Sequence, residues 1–234
     1  MLLPFGAANL FPRGGLVGIL LFMSDPQFAY PVLLDLRGRK ALVVGGGKVA
    51  LRKAQSLADA GAHVRVVSPE FINEFHEDKR LMCIEHPYHP RDCFHVNIVV
   101  AATDNDSVNL RVANDSRSAG ALVNVVDRPS MCDFIVPAVL ERGNLKIAIS
   151  TSGAAPSLAR KIRQRLEREF GPEYEVYLDE MARVRDRYKS QDLEPEVRRQ
   201  IFERLSEDDI IAAAREGPEA VRHAIDAAVG EIVR

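Results

Sequence analysis

Lys40-Ala41-Leu42-Val43-Val44-Gly45-Gly46-Gly47-Lys48-Val49-Ala50-Leu51-Arg52-Lys53 is the stretch that decides the fold. A β-favouring apolar run ends at a glycine triplet, and a helical pattern over residues 49–60 follows at once, closed by Gly61. Gly45-x-Gly47-x-x-Ala50 has the form of a dinucleotide fingerprint with alanine in the permitted last place. In that pattern the first glycine permits the tight turn, the second lets backbone approach a diphosphate, and the small last residue lets the helix pack close to the sheet. Unpaired N–H groups at the start of the helix provide an anion site, and Lys48 adds positive charge at its mouth. A turn of purely steric purpose is the competing reading. The β-α-β setting favours nucleotide binding, with Gly45, Gly46 and Gly47 as the phosphate loop.

Outward from this unit the pattern continues as α/β. Strands are expected over residues 63–67, 81–85, 97–102 and 121–126, with helices over 69–79 and 107–118. Residues 97–102 are almost wholly apolar, as in a parallel strand buried on both faces. Short strands are expected over 134–136 and 146–150, with a turn at Arg142-Gly143-Asn144. After Gly153 the character changes, and residues 156–170, 173–190, 195–205 and 218–233 all read as helices. The expected organisation is a Rossmann-like parallel sheet domain over 24–137 and a second, largely helical region over 138–234.

The chain has 234 residues, with 31 basic and 33 acidic side chains, so no overall cationic field draws it to nucleic acid or anionic lipid. Three cysteines do not make a disulfide framework and agree with a reducing compartment, which makes the cytoplasm the default location. Residues 1–23 read as a disordered leader or an over-extended start, with Met23 an alternative beginning. The apolar run over 16–22 is broken by Gly18 and is far shorter than the roughly 20 residues that span a bilayer.

Several positions carry candidate chemistry. The second strand ends Val66-Val67-Ser68, where NAD enzymes often place an acid; Glu70 lies two positions beyond and either meets the ribose or serves as a first-turn acid. Arg65 answers a 2′-phosphate or, more plainly, is a solvated strand arginine, so the residues favour NAD over NADP. Thr103 and Asp104 follow a deeply apolar strand and bracket the same crevice, and Asp106 is expected to cap the next helix. Asp127 ends an apolar strand before Arg128-Pro129, where a loop side chain projects into the ligand crevice. A carboxylate there takes a proton from a substrate if partial burial makes it a stronger base; an Asx-type turn is the alternative. Ser150-Thr151-Ser152-Gly153, ahead of Pro156, either holds substrate carboxylates or is a serine-rich cap. The following helix carries Arg160, Lys161, Arg163, Arg165 and Arg168, which grip a polyanion or form a solvated face. Cys83, His86, His89, Cys93 and His95 do not match zinc spacing, so no metal site is predicted.

Four segments then carry a resemblance. Residues 43–53, Ala101-Ala102-Thr103-Asp104, Asn124-Val125-Val126-Asp127-Arg128-Pro129 and Pro156-Ser157-Leu158-Ala159-Arg160, in this order, resemble the siroheme synthase amino-terminal family of precorrin-2 dehydrogenases and bifunctional dehydrogenase/ferrochelatases. The likeness covers about residues 28–190. It implies a Rossmann domain followed by a dimerisation region and a helical module, a homodimer, and NAD-dependent oxidation of precorrin-2, a tetrapyrrole polycarboxylate, to sirohydrochlorin. It places Asp127 at the family's essential aspartate, and Lys48, Val49, Pro69 and Glu70 at cofactor-contact positions. Asn124, Ser150, Thr151, Ser152, Gly153 and Arg160 are the candidate substrate-side residues. Some members have a phosphorylatable serine where this chain has Thr151 as the nearest match. Ferrous-ion insertion is a further activity that the resemblance implies for some members, and a non-catalytic nucleotide-sensing module is the alternative of another class. The methyltransferase of fused relatives needs more chain than follows here.

Overall fold

The apolar runs read from the sequence become five parallel strands, β1 (Lys40–Val44), β2 (His63–Ser68), β3 (Leu81–Glu85), β4 (Ile98–Ala101) and β5 (Leu122–Val125), in the order β3-β2-β1-β4-β5. The structure is a computed structural model that describes residues 30–189 and 193–233, so the leader over 1–23 and the start at Met23 lie outside the described residues. β1 is central because both its faces are apolar. Ala41 and Val43 pack with Ala50, Ala54 and Leu57 of helix α1 (Lys48–Asp59), whereas Leu42 and Val44 join Val112 and Ala113 of helix α2 (Asp106–Ser118). Burying each such Val or Leu stabilises the fold by about 1.5–3 kcal/mol. The strand order reverses between β1 and β4, and the carboxyl ends of those two strands open the crevice where such sheets bind ligands.

Four local expectations need correction. The segment between β2 and β3 is not a helix over 69–79; it contains a single 3-10 turn, Asn73–His76. Ile72 is extended and donates its N–H to the Gly46 carbonyl (3.0 Å), so the chain is tied to the glycine loop before any helix can begin. The α2 cap is Asn105 and not Asp106: the Asn105 side chain accepts from the N–H groups of Ser107 (3.0 Å) and Val108 (3.2 Å), while Asp106 pairs with Arg128. We expect Asn105→Ala to lose about 1 kcal/mol of stability, read as a lowered thermal midpoint. Arg65 is no solvated strand arginine, because it donates to the Asp92 carbonyl.

The fourth correction concerns residues 134–136, which form no strand. Instead the segment before them is pinned beside β5 by side chains and by one backbone bond, from the Asp133 N–H to the Val123 carbonyl (2.8 Å). Asp133 accepts from the Val123 N–H (3.0 Å) and from Arg117 (2.8 Å), and the Cys132 thiol lies within 3.2 Å of both the N–H and the carbonyl of Val125. The hairpin that follows pairs β6 (Ala138–Arg142) with β7 (Leu145–Ile149), antiparallel, across the expected turn.

Among the described residues five helices follow: α3 (Pro156–Glu169), α4 (Glu173–Lys189), α5 (Pro195–Arg204), the unanticipated short α6 (Asp208–Ala213) and α7 (Pro218–Ile232). α3 packs on the hairpin. The last four share their own apolar core of Tyr177, Val184, Ile201, Leu205, Ile210, Val221 and Ile225. Within it the Tyr177 hydroxyl donates to the Leu205 carbonyl (2.9 Å), which satisfies a buried polar group at the end of α5. Among the described residues, no helix is long and apolar enough to cross a membrane.

Candidate active site

The glycine loop is held from the protein side at its first two positions and open at the third. Gly45 has φ +132°, and a β-carbon there would lie 2.4 Å from the Ala102 carbonyl oxygen. At Gly46 it would lie 1.8 Å from the Glu70 carbonyl oxygen, because residues 69–72 close tightly over the loop. At Gly47 it would meet no protein atom within 4 Å. Gly47 caps α1 without a side-chain hydrogen bond, and no acid sits in the first turn. The loop therefore presents backbone donors to an open space that packing alone would let a side chain fill, and this matches the shape and charge of a diphosphate.

The other candidates for that ligand stand around the same loop. Lys48 and Val49 begin α1 and are exposed. Pro69 and Glu70 are exposed on the segment that covers Gly46. Thr103 and Asp104 follow β4; Asp104 is exposed, but Thr103 is committed to the loop's own bracing. Its N–H and hydroxyl both meet Asn109 Oδ1 (3.3 and 2.8 Å), and its carbonyl accepts from Asn109 Nδ2 (2.8 Å).

Beside this crevice lies a cleft of about 420 Å³, bounded by the carboxyl end of β5, the flank of α1, the hairpin and the start of α3. Asp127 lines it. The residue has φ +59°, a left-handed conformation that Asp tolerates better than most side chains, and it aims from the strand end as the chain turns into Arg128-Pro129. Asp127 is exposed, so protein atoms do not supply the partial burial expected from the sequence. Ser152, in the loop ahead of α3, is also left-handed (φ +50°). Strained backbone of this kind gathers at ligand sites.

Of the candidate substrate-side residues, Asn124, Ser150, Thr151 and Gly153 line the cleft, while Ser152 and Arg160 do not. Asn124 is buried and donates to the Phe134 carbonyl (2.9 Å), so it fixes the wall. Thr151 Oγ1 accepts from the Ala155 N–H (3.1 Å) and Ser150 Oγ from the Ser152 N–H (3.1 Å), which shapes the loop ahead of α3. On α3 itself Arg160 is exposed and Arg163 pairs with Glu167.

The cations that do line the cleft are Arg52, Lys53 and Arg128. Sequence reasoning gave them no role, although one signal was present: helical side chains lean toward the amino terminus, so residues one turn into α1 reach back to the crevice. Lys53 is half-buried. Burial lowers the affinity of its ammonium for a proton and Arg52 beside it acts the same way, while Asp127 and Cys132 pull in the opposite direction. Cys132 also lines the cleft, and burial pushes its thiol up.

The histidine and cysteine cluster is not assembled. Cys83 is on edge strand β3, with two strands between it and β4, which His95 precedes. His89 accepts from the Arg91 N–H (3.2 Å) and Cys93 meets Tyr88 (3.1 Å). No group of three or more His, Cys, Asp or Glu among the described residues is placed to hold a metal.

Comparison with known proteins bears on the same regions. A family model described as putative NAD(P)-binding matches residues 32–138, and one described as sirohaem biosynthesis protein, central, matches residues 142–169. Siroheme synthase of Ectopseudomonas mendocina (strain ymp) is 42% identical over 175 residues, covering 74% of this chain and 37% of that protein. Siroheme synthase of Azotobacter vinelandii (strain DJ / ATCC BAA-1303) is 44% identical over 140 residues, covering 58% of this chain and 30% of that protein. The chain thus spans less than half the length of the curated relatives it matches. Among solved structures, SirC, precorrin-2 dehydrogenase, superposes with a TM-score of 0.70 at 28% identity, covering 85% of this chain and 100% of that one.

Proposed function

This chain belongs to the siroheme synthase amino-terminal family, and from that premise we propose that it oxidises precorrin-2 to sirohydrochlorin with NAD. The observation that carries the reading is the adjacency of a glycine loop left open at Gly47 and a cleft lined by the Asp127 carboxylate. When bound, NAD supplies the hydride acceptor.

The chain's own residues do the rest. Backbone N–H groups of Gly46 and Gly47 hold the diphosphate, with Lys48 and Val49 at its mouth, while Gly45, whose own N–H is donated to the Val67 carbonyl (2.9 Å), makes the turn that brings them there. Pro69 and Glu70 meet the ribose, and Asp104 and Thr103 bound the nicotinamide side. Asp127 takes the proton that the macrocycle releases as it loses a hydride, so the step yields sirohydrochlorin, NADH and one proton. Substrate covering the cleft supplies the burial that Asp127 lacks in the protein alone. Asn124, Ser150, Thr151 and Gly153 form the substrate wall, Ser152 shapes the loop that carries it, and the exposed Arg160 on α3 is left to meet substrate carboxylates from outside the cleft.

The domain division at 137/138 separates the nucleotide half from the rest, and the reading includes a homodimer through the hairpin region. Val139 of the hairpin and Leu158 of the α3 that packs on it leave an apolar surface there. It also includes a cytoplasmic location, in keeping with free Cys83, Cys93 and Cys132.

Mixing the purified chain anaerobically with precorrin-2 and NAD should raise NADH absorbance together with the sirohydrochlorin spectrum, faster with NAD than with NADP. Tight NAD binding with no turnover would replace the enzyme by a nucleotide-sensing module. A second reading adds ferrous-ion insertion, favoured by relatives that are themselves named siroheme synthase. Supplying sirohydrochlorin and ferrous ion decides it, since no protein-dependent siroheme removes that step.

A further inference from the structure

Lys53 and Arg52 stand out once the cleft's charges are paired off. Arg128 is matched by Asp106, whereas neither Arg52 nor Lys53 has an acid within ion-pair distance or a hydrogen-bond partner among the described residues. The two are neighbours on α1, both line the cleft, and Lys53 is half-buried. A partly desolvated ammonium beside a second cation costs free energy unless an anion arrives.

The cleft is also lined by Ile135, Val136, Pro137 and Ala159, an apolar surface suited to a flat or puckered ring. Asp127 creates a conflict there, because a carboxylate base repels a ligand that is itself rimmed with carboxylates. Positive charge on the same wall resolves the conflict. Lys53 supplies it, and its electrostatic coupling to Asp127 puts the two within each other's field.

We propose that Lys53, with Arg52 beside it, is the carboxylate-recognition point of the cleft, gripping a peripheral carboxylate of the tetrapyrrole and so setting its ring against Asp127. The proposal rests on the tetrapyrrole reading given above and assigns the substrate's anionic edge to the nucleotide-domain wall, in place of the basic face of α3. Lys53 is a specificity-determining residue in this account, and it has no role in holding NAD.

The test uses the full chain and two readouts. Sirohydrochlorin is titrated without nucleotide, followed by its own fluorescence, which a chain with no tryptophan leaves uncluttered. Precorrin-2 oxidation then gives KM and kcat separately. Lys53→Gln should weaken sirohydrochlorin binding and raise KM by roughly 10-fold or more, as loss of a charged hydrogen bond does, with a much smaller fall in kcat. NAD affinity should stay within about twofold, and Lys53→Arg should recover most of the loss because the charge is kept. In the unaltered chain, sirohydrochlorin affinity should fall as salt rises.

Unchanged tetrapyrrole affinity in a folded Lys53→Gln variant overturns the proposal, as does a loss confined to kcat or shared equally by NAD. If that variant does not fold, salt-independent sirohydrochlorin binding by the parent overturns it instead. A parent chain that binds no tetrapyrrole overturns the proposed function and this inference together, whereas a parent that binds and a variant that binds equally well overturn this inference alone.

Discussion

Asp127→Asn is expected to slow precorrin-2 oxidation by roughly 10²- to 10⁴-fold, the contribution of a positioned general base, while NAD affinity and thermal stability stay close to those of the parent. The substitution suits the site. Position 127 is left-handed (φ +59°), and asparagine, like aspartate, is among the few side chains that adopt this conformation readily. Asp127 makes no side-chain hydrogen bond or ion pair among the described residues, so removing its charge breaks no structural contact. What is lost is a proton acceptor lining the cleft and the attraction it exerts on Lys53 and Arg128. Following NADH absorbance at saturating NAD checks the prediction; a folded variant that oxidises at the parental rate removes Asp127 from the chemistry.

The second large effect is a contrast between adjacent glycines. Gly46→Ala places a methyl group 1.8 Å from the Glu70 carbonyl oxygen and 2.9 Å from its carbon. Both atoms belong to backbone that is tied back to Gly46 through Ile72, so neither can yield as a side chain would. Overpacking of this kind costs about 1–3 kcal/mol or more, and the variant should melt well below the parent. Gly47→Ala meets nothing within 4 Å and sits at φ −92°, a value open to any residue. It should fold normally, yet its methyl occupies the space that the diphosphate reading requires, and NAD affinity should drop on the order of tenfold or more. Melting curves and NAD titrations separate the two variants. A Gly47→Ala chain that binds NAD like the parent would mean that the open space is not the diphosphate's.

Much of this arrangement was legible before any coordinates. The central strand, the glycine loop and the two deeply buried strands announce themselves through runs such as Val43-Val44 and Val99-Val100, because a parallel strand between two helical layers must be apolar on both faces. The same logic fails at residues 69–79. Their composition permits a helix, but the decisive fact is the long-range bond from Ile72 to Gly46, which no local pattern encodes. At 134–136 an apolar triplet imitates a strand, and what actually sits beside β5 is Asp133 and Cys132, held by their side chains and one backbone bond from the Asp133 N–H to the Val123 carbonyl. Asn105 takes the cap while its neighbour Asp106 is paired with Arg128, which follows the adjacent strand β5 and is distant in sequence.

The site divides in the same way. Asp127 and the glycines are marked by their position after strands, which topology turns into one crevice. Arg52 and Lys53 are marked only by their place one turn into α1, a weak signal because cations on a helix usually face solvent; the cleft shows that both line it with Asp127. The basic run on α3 has the opposite history. It is conspicuous in sequence, but Arg163 is spent on Glu167 and Arg160 does not line the cleft.

The most direct test is a crystal structure of the chain with NAD and sirohydrochlorin bound together. The account predicts the diphosphate over the Gly45 turn on the backbone N–H groups of Gly46 and Gly47, the nicotinamide ring facing the cleft, and the Asp127 carboxylate against the macrocycle. A dinucleotide seated elsewhere, or a macrocycle bound away from Asp127, would contradict it.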